Sequence, residues 1–354
     1  MYRSTIKSRY RLLPCVLCIG LLSGCESIGF YRQALFGQLE ILVKREPIQA
    51  VIGKAETNLP LKERLMLVES VREYARSTLN FPVGASYATY VDTGRAFVVW
   101  NVFAAPEFSL DAMRWCYPIA GCVSYRGYFQ QDKAEKLADK LRSDGKDVFV
   151  GGVAAYSTLG WFSDPVLNTF LNRSESKLAG LIFHELAHKI LYVPGDTVFN
   201  ESFATAVENE ALRRWLNDRQ QPRIYRQYLD GQARRFEFVS LIDSYKERLR
   251  TLYNQPLADA DKRAGKQELI QALREDYKVL QSSWHGYTDY GNWVAGEINN
   301  AKIVTISAYH DLVPAFNRLL KDSGGDMQIF LDKCIELGDM EESARNRALG
   351  VRVH

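Results

Sequence analysis

Residues 178–191 read LAGLIFHELAHKIL, and this stretch decides how the second half of the chain folds. Apolar side chains cover most of the circumference of a helix built from it, which is typical of a helix buried on most sides. Three polar residues interrupt the apolar pattern, namely His184, Glu185 and His188. Buried without partners, they would cost on the order of several kcal/mol in desolvation, so the sequence requires a partner for each of them.

The spacing of these polar residues indicates a metal site. Residues four apart lie one above the other on a helix, so His184 and His188 present both imidazoles to one point. Glu185 lies about a quarter turn away and can reach a water at that point. Two histidines and a neighbouring glutamate in this order are typical of a catalytic zinc ion with the glutamate as general base.

Such a zinc ion needs a third protein ligand and one position open to water. Residues 193–195 predict a turn after the histidine helix, and Asp196 or Thr197 is a suitable N-cap for a second helix. Glu201 falls within the first two turns of that helix, which can fold back against the first, and is the predicted third ligand of a single Zn²⁺. Glu208, seven residues on, is expected either to orient a ligating imidazole or to be solvated.

The first 25 residues have the order of a secretory signal. Four basic residues precede an apolar run at 12–22 that is too short to span a bilayer. The run ends in Leu-Ser-Gly-Cys at 22–25, which resembles a bacterial lipobox, so we expect residues 1–24 to be removed and Cys25 to carry the lipid. By resemblance to Gram-negative lipoproteins, Glu26 favours a periplasm-facing position on the outer membrane. The alternative is an ordinary signal peptide in which the cysteine is incidental.

Composition indicates a folded globular protein. The chain has 354 residues, of which 47% are hydrophobic, with 45 basic and 42 acidic residues and a formal charge of +3. Part of that charge lies in the leader, so nothing favours nucleic acid as a partner. The expected partners are a peptide substrate and, through the lipid at Cys25, a membrane.

Cysteine spacing leaves one pair to consider outside the leader. Cys116 and Cys122 could close a small loop in an oxidising compartment, for a net gain of about 2 kcal/mol. Two unpaired buried thiols are the alternative, because sequence cannot show that the two backbones approach.

Periodicity predicts an α+β chain. With no long linker, residues 25–354 read as one domain, in which a helix-plus-sheet lobe at about 25–171, holding a mixed sheet, precedes a mainly helical lobe at about 172–354. Helices are predicted over 30–80 with breaks near residues 47 and 58–60, and over 132–143, 176–191, 197–216, 225–253, 259–281 and 308–320. Strands are predicted over 87–90, 96–103, 125–129 and 147–156.

The motifs resemble those of the gluzincin metallopeptidases, and the chain is similar to the bacterial predicted aminopeptidase lipoproteins. The resemblance extends over the segments 38–40, 120–129, 156–162, 184–188, 200–208 and 299–301. It implies a zincin-like fold with the active site between the two lobes, and removal of N-terminal residues from peptides. It also implies an oxyanion-stabilising Tyr or His in the later chain, for which Tyr309 is favoured while His310 and His285 stay open.

Two other functions fit parts of the pattern. One is a non-catalytic zinc-binding lipoprotein at the outer membrane that acts as a scaffold or chaperone. Glu185 argues against it, because a structural zinc site needs only ligands and usually closes the fourth position. The other is hydrolysis of cell-wall peptides, which uses the same chemistry on another substrate.

Overall fold

The computed structural model describes residues 29–117, 121–155, 163–306 and 312–350. The leader, the predicted lipidation site Cys25, and the oxyanion candidates Tyr309 and His310 lie outside these residues. Among the residues described, no helix has both the length and the apolar character needed to cross a membrane.

The first part of the chain is helical and breaks where the sequence predicts. Helix α1 covers residues 29–43, the two-residue strand β1 (Glu46–Pro47) follows, and then come α2 (Ile48–Gly53) and α3 (Leu59–Ser77). The Asn58 side chain caps α3 by accepting a hydrogen bond from the Leu61 amide at 2.9 Å. One face of α3 is fully buried and carries Leu65, Val68, Val71 and Ala75.

In the described part of the chain, eight short strands form three small sheets rather than one large sheet. The remaining strands are β2 (Thr89–Val91), β3 (Val99–Pro106), β4 (Trp115–Tyr117), β5 (Gly121–Val123), β6 (Arg126–Tyr128), β7 (Lys146–Val153) and β8 (Val166–Leu167). The first sheet is mixed, in the order β1-β2-β8, the second is antiparallel in the order β6-β3-β7, and β4 pairs with β5. Strand β3 pairs with β7 along its whole length, from Val99 opposite Val153 to Pro106 opposite Lys146.

Helix α4 (Gln131–Ser143) lies between β6 and β7 and ends as predicted. Gly145 follows it with a φ of +72°, a left-handed conformation that costs glycine little and closes many helix C-termini. In the β4–β5 hairpin, Cys116 lies directly opposite Cys122, and a disulfide joins the two.

The rest of the described chain is helical. Its helices are α5 (Asn168–Leu171), α6 (Glu175–Ile190), α7 (Thr197–Asp218), α8 (Pro222–Tyr253), α9 (Asp259–Ser282), α10 (Gly291–Ala295), α11 (Asn300–Ile303), α12 (Val313–Asp322), α13 (Met327–Gly338) and α14 (Glu342–Ala348). The predicted bounds of α6 to α9 agree with these to within three residues.

The largest core is shared by the two parts of the sequence that were expected to form separate lobes. It joins Val68 of α3 and Val166 of β8 to Phe183 of α6, Phe203 of α7 and Phe330 of α13. A second core lies between α8 and α9, and a third lies where α4 covers the β6-β3-β7 sheet. Helices α6 and α7 are therefore held from both sides by the shared core, which fixes the site that they carry.

Candidate metal centre

Helices α6 and α7 form a hairpin whose turn is fixed by side chains. The Asn200 amide bonds to both backbone groups of Val193, accepting from the N–H at 2.8 Å and donating to the carbonyl at 2.7 Å. Asp196 caps α7 by accepting from the Phe199 amide at 2.9 Å, and its other carboxylate oxygen pairs with the buried guanidinium of Arg345. Of the two N-caps that the sequence allowed, the structure has Asp196.

The hairpin brings the three predicted ligands together. The Nε2 of His184 lies 3.3 Å from one carboxylate oxygen of Glu201, and the Nε2 of His188 lies 3.6 Å from the other. One donor atom from each residue falls within 4.8 Å of the others. In a tetrahedral zinc site with bonds of about 2.0–2.2 Å, neighbouring ligand atoms are about 3.4 Å apart. The donor types and the spacing therefore fit one zinc ion.

A chain of hydrogen bonds fixes the orientation of the first imidazole. The Nδ1 of His184 donates to Glu208 at 3.1 Å, which leaves Nε2 facing Glu201. The other oxygen of Glu208 accepts from the hydroxyl of Tyr228 at 2.8 Å, and that hydroxyl accepts from the Gln232 amide at 2.7 Å. Of the two roles that the sequence allowed for Glu208, the geometry matches the orienting one.

Gly180 makes room for this carboxylate. A Cβ built on Gly180, one turn before His184 on α6, would lie 2.6 Å from an oxygen of Glu208. A Cβ atom in a real protein essentially never lies that close to another non-bonded heavy atom. Any side chain at position 180 must therefore displace the carboxylate.

We expect Gly180→Ala to separate stability from metal affinity. In a helix interior, alanine is more favourable than glycine by about 0.5–1 kcal/mol, which offsets part of the roughly 1–3 kcal/mol that displacing the Glu208 carboxylate costs, so the metal-free protein should unfold at a similar or slightly lower temperature. Zinc affinity should fall by about 10- to 100-fold, because His184 loses its orienting partner. Thermal unfolding and competitive zinc titration measure the two effects. Unchanged zinc affinity would show that Glu208 is not needed to orient the imidazole.

The charges around the histidines favour a cation beside Glu201. Burial lowers the pKa of His184, but its hydrogen bonds with Glu201 and Glu208 outweigh burial and raise that pKa to about 10. Burial and the charge of His184 lower the pKa of His188 to about 4, although Glu201 acts in the opposite direction. The Nδ1 of His188 is buried and has no hydrogen-bond partner in the described part of the chain. Two carboxylates, those of Glu201 and Glu208, thus lie against the imidazoles, and a divalent cation would balance their charge.

Glu185 lies next to the ligands and opens onto a large cleft. It lines a cavity of about 1130 Å³ together with His184 and Glu201. Tyr87, from the first part of the chain, is buried near Glu185. Burial raises the pKa of Tyr87, and the charge of Glu185 raises it further. Burial lowers the pKa of Arg173, which lines the same cavity, while the charges of Glu208 and Glu185 act in the opposite direction. A carboxylate that does not belong to the ligand set therefore lines the cleft beside the metal site.

The sequence did not reveal every residue that lines this cleft. Tyr228, Arg173 and Arg234 line it, and none of them stands at a recognisable spacing from the histidine motif. His285, one of the three oxyanion candidates, is exposed on a turn with a φ of +52° and is not among the cavity-lining residues described. The other two candidates lie outside the described residues, so the assignment of Tyr309 stays a prediction.

One comparison with known proteins identifies a family. The family model described as "Putative aminopeptidase" matches residues 29–349, which include every described helix and strand. The chain belongs to this family. No curated protein and no solved structure matches the chain.

Proposed function

We propose that this protein is a zinc-dependent peptidase of the cell envelope that removes N-terminal residues from peptides. The observation that carries the proposal is the set of three donors, from His184, His188 and Glu201, at distances suited to a tetrahedral zinc ion. Two of these residues, His184 and Glu201, line a cleft that Glu185 also lines. Membership of the aminopeptidase family supports the choice of peptides as substrates.

The chain supplies the proton transfers of such a reaction. When bound, zinc would polarise the scissile carbonyl and make an attacking water more acidic. Glu185 takes the proton of that water and passes it to the leaving amine, because it is next to the ligands but is not needed as one. The chain of hydrogen bonds through Glu208 and Tyr228 keeps His184 in the tautomer that presents Nε2 to the metal.

The open cleft also weighs against a scaffold or chaperone role. A structural zinc site is normally closed by four protein ligands, whereas the donor group found among the described residues has three members, two of which, His184 and Glu201, line a cavity.

Metal analysis of the purified protein, coupled to a peptide-library assay, tests the proposal. The soluble form would consist of residues 26–354. We expect about one zinc per chain, cleavage of free peptides after the first residue, and loss of cleavage on treatment with a chelator. Cuts at internal positions would make the protein an endopeptidase. Cuts confined to peptidoglycan fragments would favour cell-wall peptides as substrates. Tightly bound zinc without any cleavage would favour the non-catalytic alternative.

We further propose attachment to the outer membrane through acyl chains on Cys25. The lipobox-like residues 22–25 support this, and so does the helix that follows. The described part of helix α1 starts at residue 29, four residues after Cys25, and one side of it exposes apolar residues at a spacing of four. Tyr31, Leu35, Leu39 and Val43 are 47%, 59%, 42% and 82% exposed. An apolar stripe so close to a lipid anchor suits a helix that rests on a bilayer surface.

Cys25→Ser is expected to abolish lipid attachment. The wild-type chain should incorporate labelled fatty acid and partition into detergent, because two or more acyl chains give stable anchoring. The serine variant should do neither, while Cys18→Ser, which changes another cysteine of the leader, should behave as wild type. Labelled fatty acid retained by Cys25→Ser would contradict the assignment.

A further inference from the structure

The cavity at the metal centre continues well beyond the metal ligands. Its volume of about 1130 Å³ exceeds the roughly 300–1,000 Å³ of sites that hold a single small ligand. It follows α6 toward its N-terminus, where Leu181 and Lys177 line it, and α8 from Tyr228 to Arg234 and Arg235. The cleft therefore has one end at the metal centre and another between the start of α6 and the middle of α8.

Helix geometry gives the distance between the two ends. Tyr228 marks the metal end, because its hydroxyl bonds to Glu208 at 2.8 Å. Arg234 is six residues further along α8, or about 9 Å along the axis at 1.5 Å per residue. On α6, Lys177 precedes His184 by seven residues, or about 10 Å. The far end of the cleft is thus about 10 Å from the metal ligands.

A guanidinium without a carboxylate partner lies at the far end. The Arg234 guanidinium carbon is 3.4 Å from the centre of the Tyr287 ring, so the group is stacked and held in place. Its Nε is buried and has no hydrogen-bond partner among the residues described. Among the described residues, Arg234 forms no ion pair within 4 Å, even though Asp230 is one turn earlier on the same helix and lines the same cavity.

Two other charged residues that line the cavity at this end form ion pairs. Lys177 pairs with Asp289 at 3.5 Å, and Glu175 pairs with Arg219 at 2.8 Å. Arg234 is left with a planar set of N–H donors that matches the two oxygens of a carboxylate.

We infer that Arg234, stacked on Tyr287, binds the free C-terminal carboxylate of a short peptide substrate. The inference rests on the proposed peptidase function and names its substrate class. An extended chain spans about 3.3–3.6 Å per residue, so about 10 Å between the metal ligands and the guanidinium corresponds to about three residues. With the scissile bond at the metal centre and one residue beyond it, the cleft fits tri- and tetrapeptides that end in a free carboxylate.

Paired substrates test this assignment. Trialanine and tetra-alanine are offered to the zinc-loaded protein as free acids and as C-terminal amides, and kcat/KM is measured for each. We expect the wild type to prefer the acid by about 10- to 100-fold, the range for a hydrogen-bonded charge pair. Arg234→Ala should bring kcat/KM for the acid close to that for the amide, mainly by raising KM for the acid. Arg234→Lys should retain part of the acid preference, because lysine keeps the positive charge but lacks the planar guanidinium that can donate two parallel hydrogen bonds to a carboxylate.

Arg226→Ala provides the matched control. Arg226 is an exposed arginine on the same helix that does not line the described cavity, so its replacement should leave the acid preference intact. Equal hydrolysis of acid and amide by the wild type, or an acid preference that survives in Arg234→Ala, would overturn the inference and leave the peptidase proposal standing.

A binding measurement separates this inference from the proposed function. If neither form of the peptides is cleaved, the peptidase proposal fails. Calorimetry then measures the binding of trialanine and of its amide to zinc-loaded Glu185→Gln protein. This measurement tests whether Arg234 binds the peptide carboxylate even when no peptide is cleaved. Tighter binding of the acid, lost on adding Arg234→Ala, supports the carboxylate site, and equal binding of both peptides refutes it.

Discussion

Replacing Glu185 by glutamine is expected to lower kcat for peptide hydrolysis by about 10²- to 10⁴-fold, the usual contribution of a general base. Zinc content should stay at one ion per chain. The physical reason is the position of this carboxylate, which lines the cleft beside His184 and Glu201 and lies outside the set of three metal donors. Glutamine keeps the size of the side chain and removes its ability to take a proton.

The matched control for this prediction is Glu175→Gln. Glu175 lies on the same helix and lines the same cavity, but it pairs with Arg219 at 2.8 Å. Its replacement should change kcat little. If Glu185→Gln keeps full activity, another group is the base. If activity and zinc are lost together, Glu185 is needed to hold the metal, and its role as a base is not supported.

The second large effect is expected for Glu201→Ala. Removing one of three protein donors should weaken zinc binding by more than about 100-fold, the upper end of the effect of a supporting residue. Peptide hydrolysis should fall to background. Excess zinc should raise the unfolding temperature of the wild type, because a ligand that binds only the folded state stabilises it, and should not raise that of the variant.

Glu208→Gln provides an intermediate point for this series. Its carboxylate contacts His184 from the side away from the metal, at 3.1 Å, so its loss should weaken zinc binding by about 10- to 100-fold only. Zinc titration and thermal unfolding of the wild type and both variants should rank zinc affinity as wild type highest, Glu208→Gln intermediate and Glu201→Ala lowest. Wild-type zinc affinity in Glu201→Ala would remove this glutamate from the site.

The sequence predicts the site well where the information is local. The histidines share a helix face because they are four apart, and the Val-Pro-Gly turn with Asp196 as cap returns the chain so that Glu201 meets them. Glu208 could be placed on the correct face for the same reason. These predictions depend on spacing within some 25 residues, and helix geometry fixes such spacing almost regardless of the rest of the fold.

Contacts between residues far apart in the chain could not be predicted from the sequence. Tyr228 meets Glu208 because α8 packs beside α7, and Tyr287 stacks on Arg234 although 53 residues separate them. No periodicity encodes either contact. The predicted division into two lobes near residue 171 was based on the change from strand to helix patterning at that point. Local patterning does not show that α3, from the first part of the chain, packs into the core that surrounds α6 and α7.

Local patterns also predicted the positions of strands better than the pairing between strands. The alternation around 147–156 predicted β7, which covers Lys146–Val153. The arrangement of the eight described strands in three small sheets depends instead on tertiary packing. Very short strands such as β1 and β8 carry too few residues for a pattern to be read.

X-ray absorption at the zinc edge of the purified, zinc-loaded protein gives the sharpest test of the proposed metal centre. We predict a four-coordinate ion with two imidazole nitrogens at about 2.0–2.1 Å, oxygen ligands at about 2.0–2.2 Å and no sulfur. In His188→Ala protein, one imidazole should be missing from the spectrum or the metal should be absent. A sulfur ligand at about 2.3 Å, or a spectrum that does not change in His188→Ala, would show that the zinc is bound elsewhere and that His184, His188 and Glu201 do not form its site.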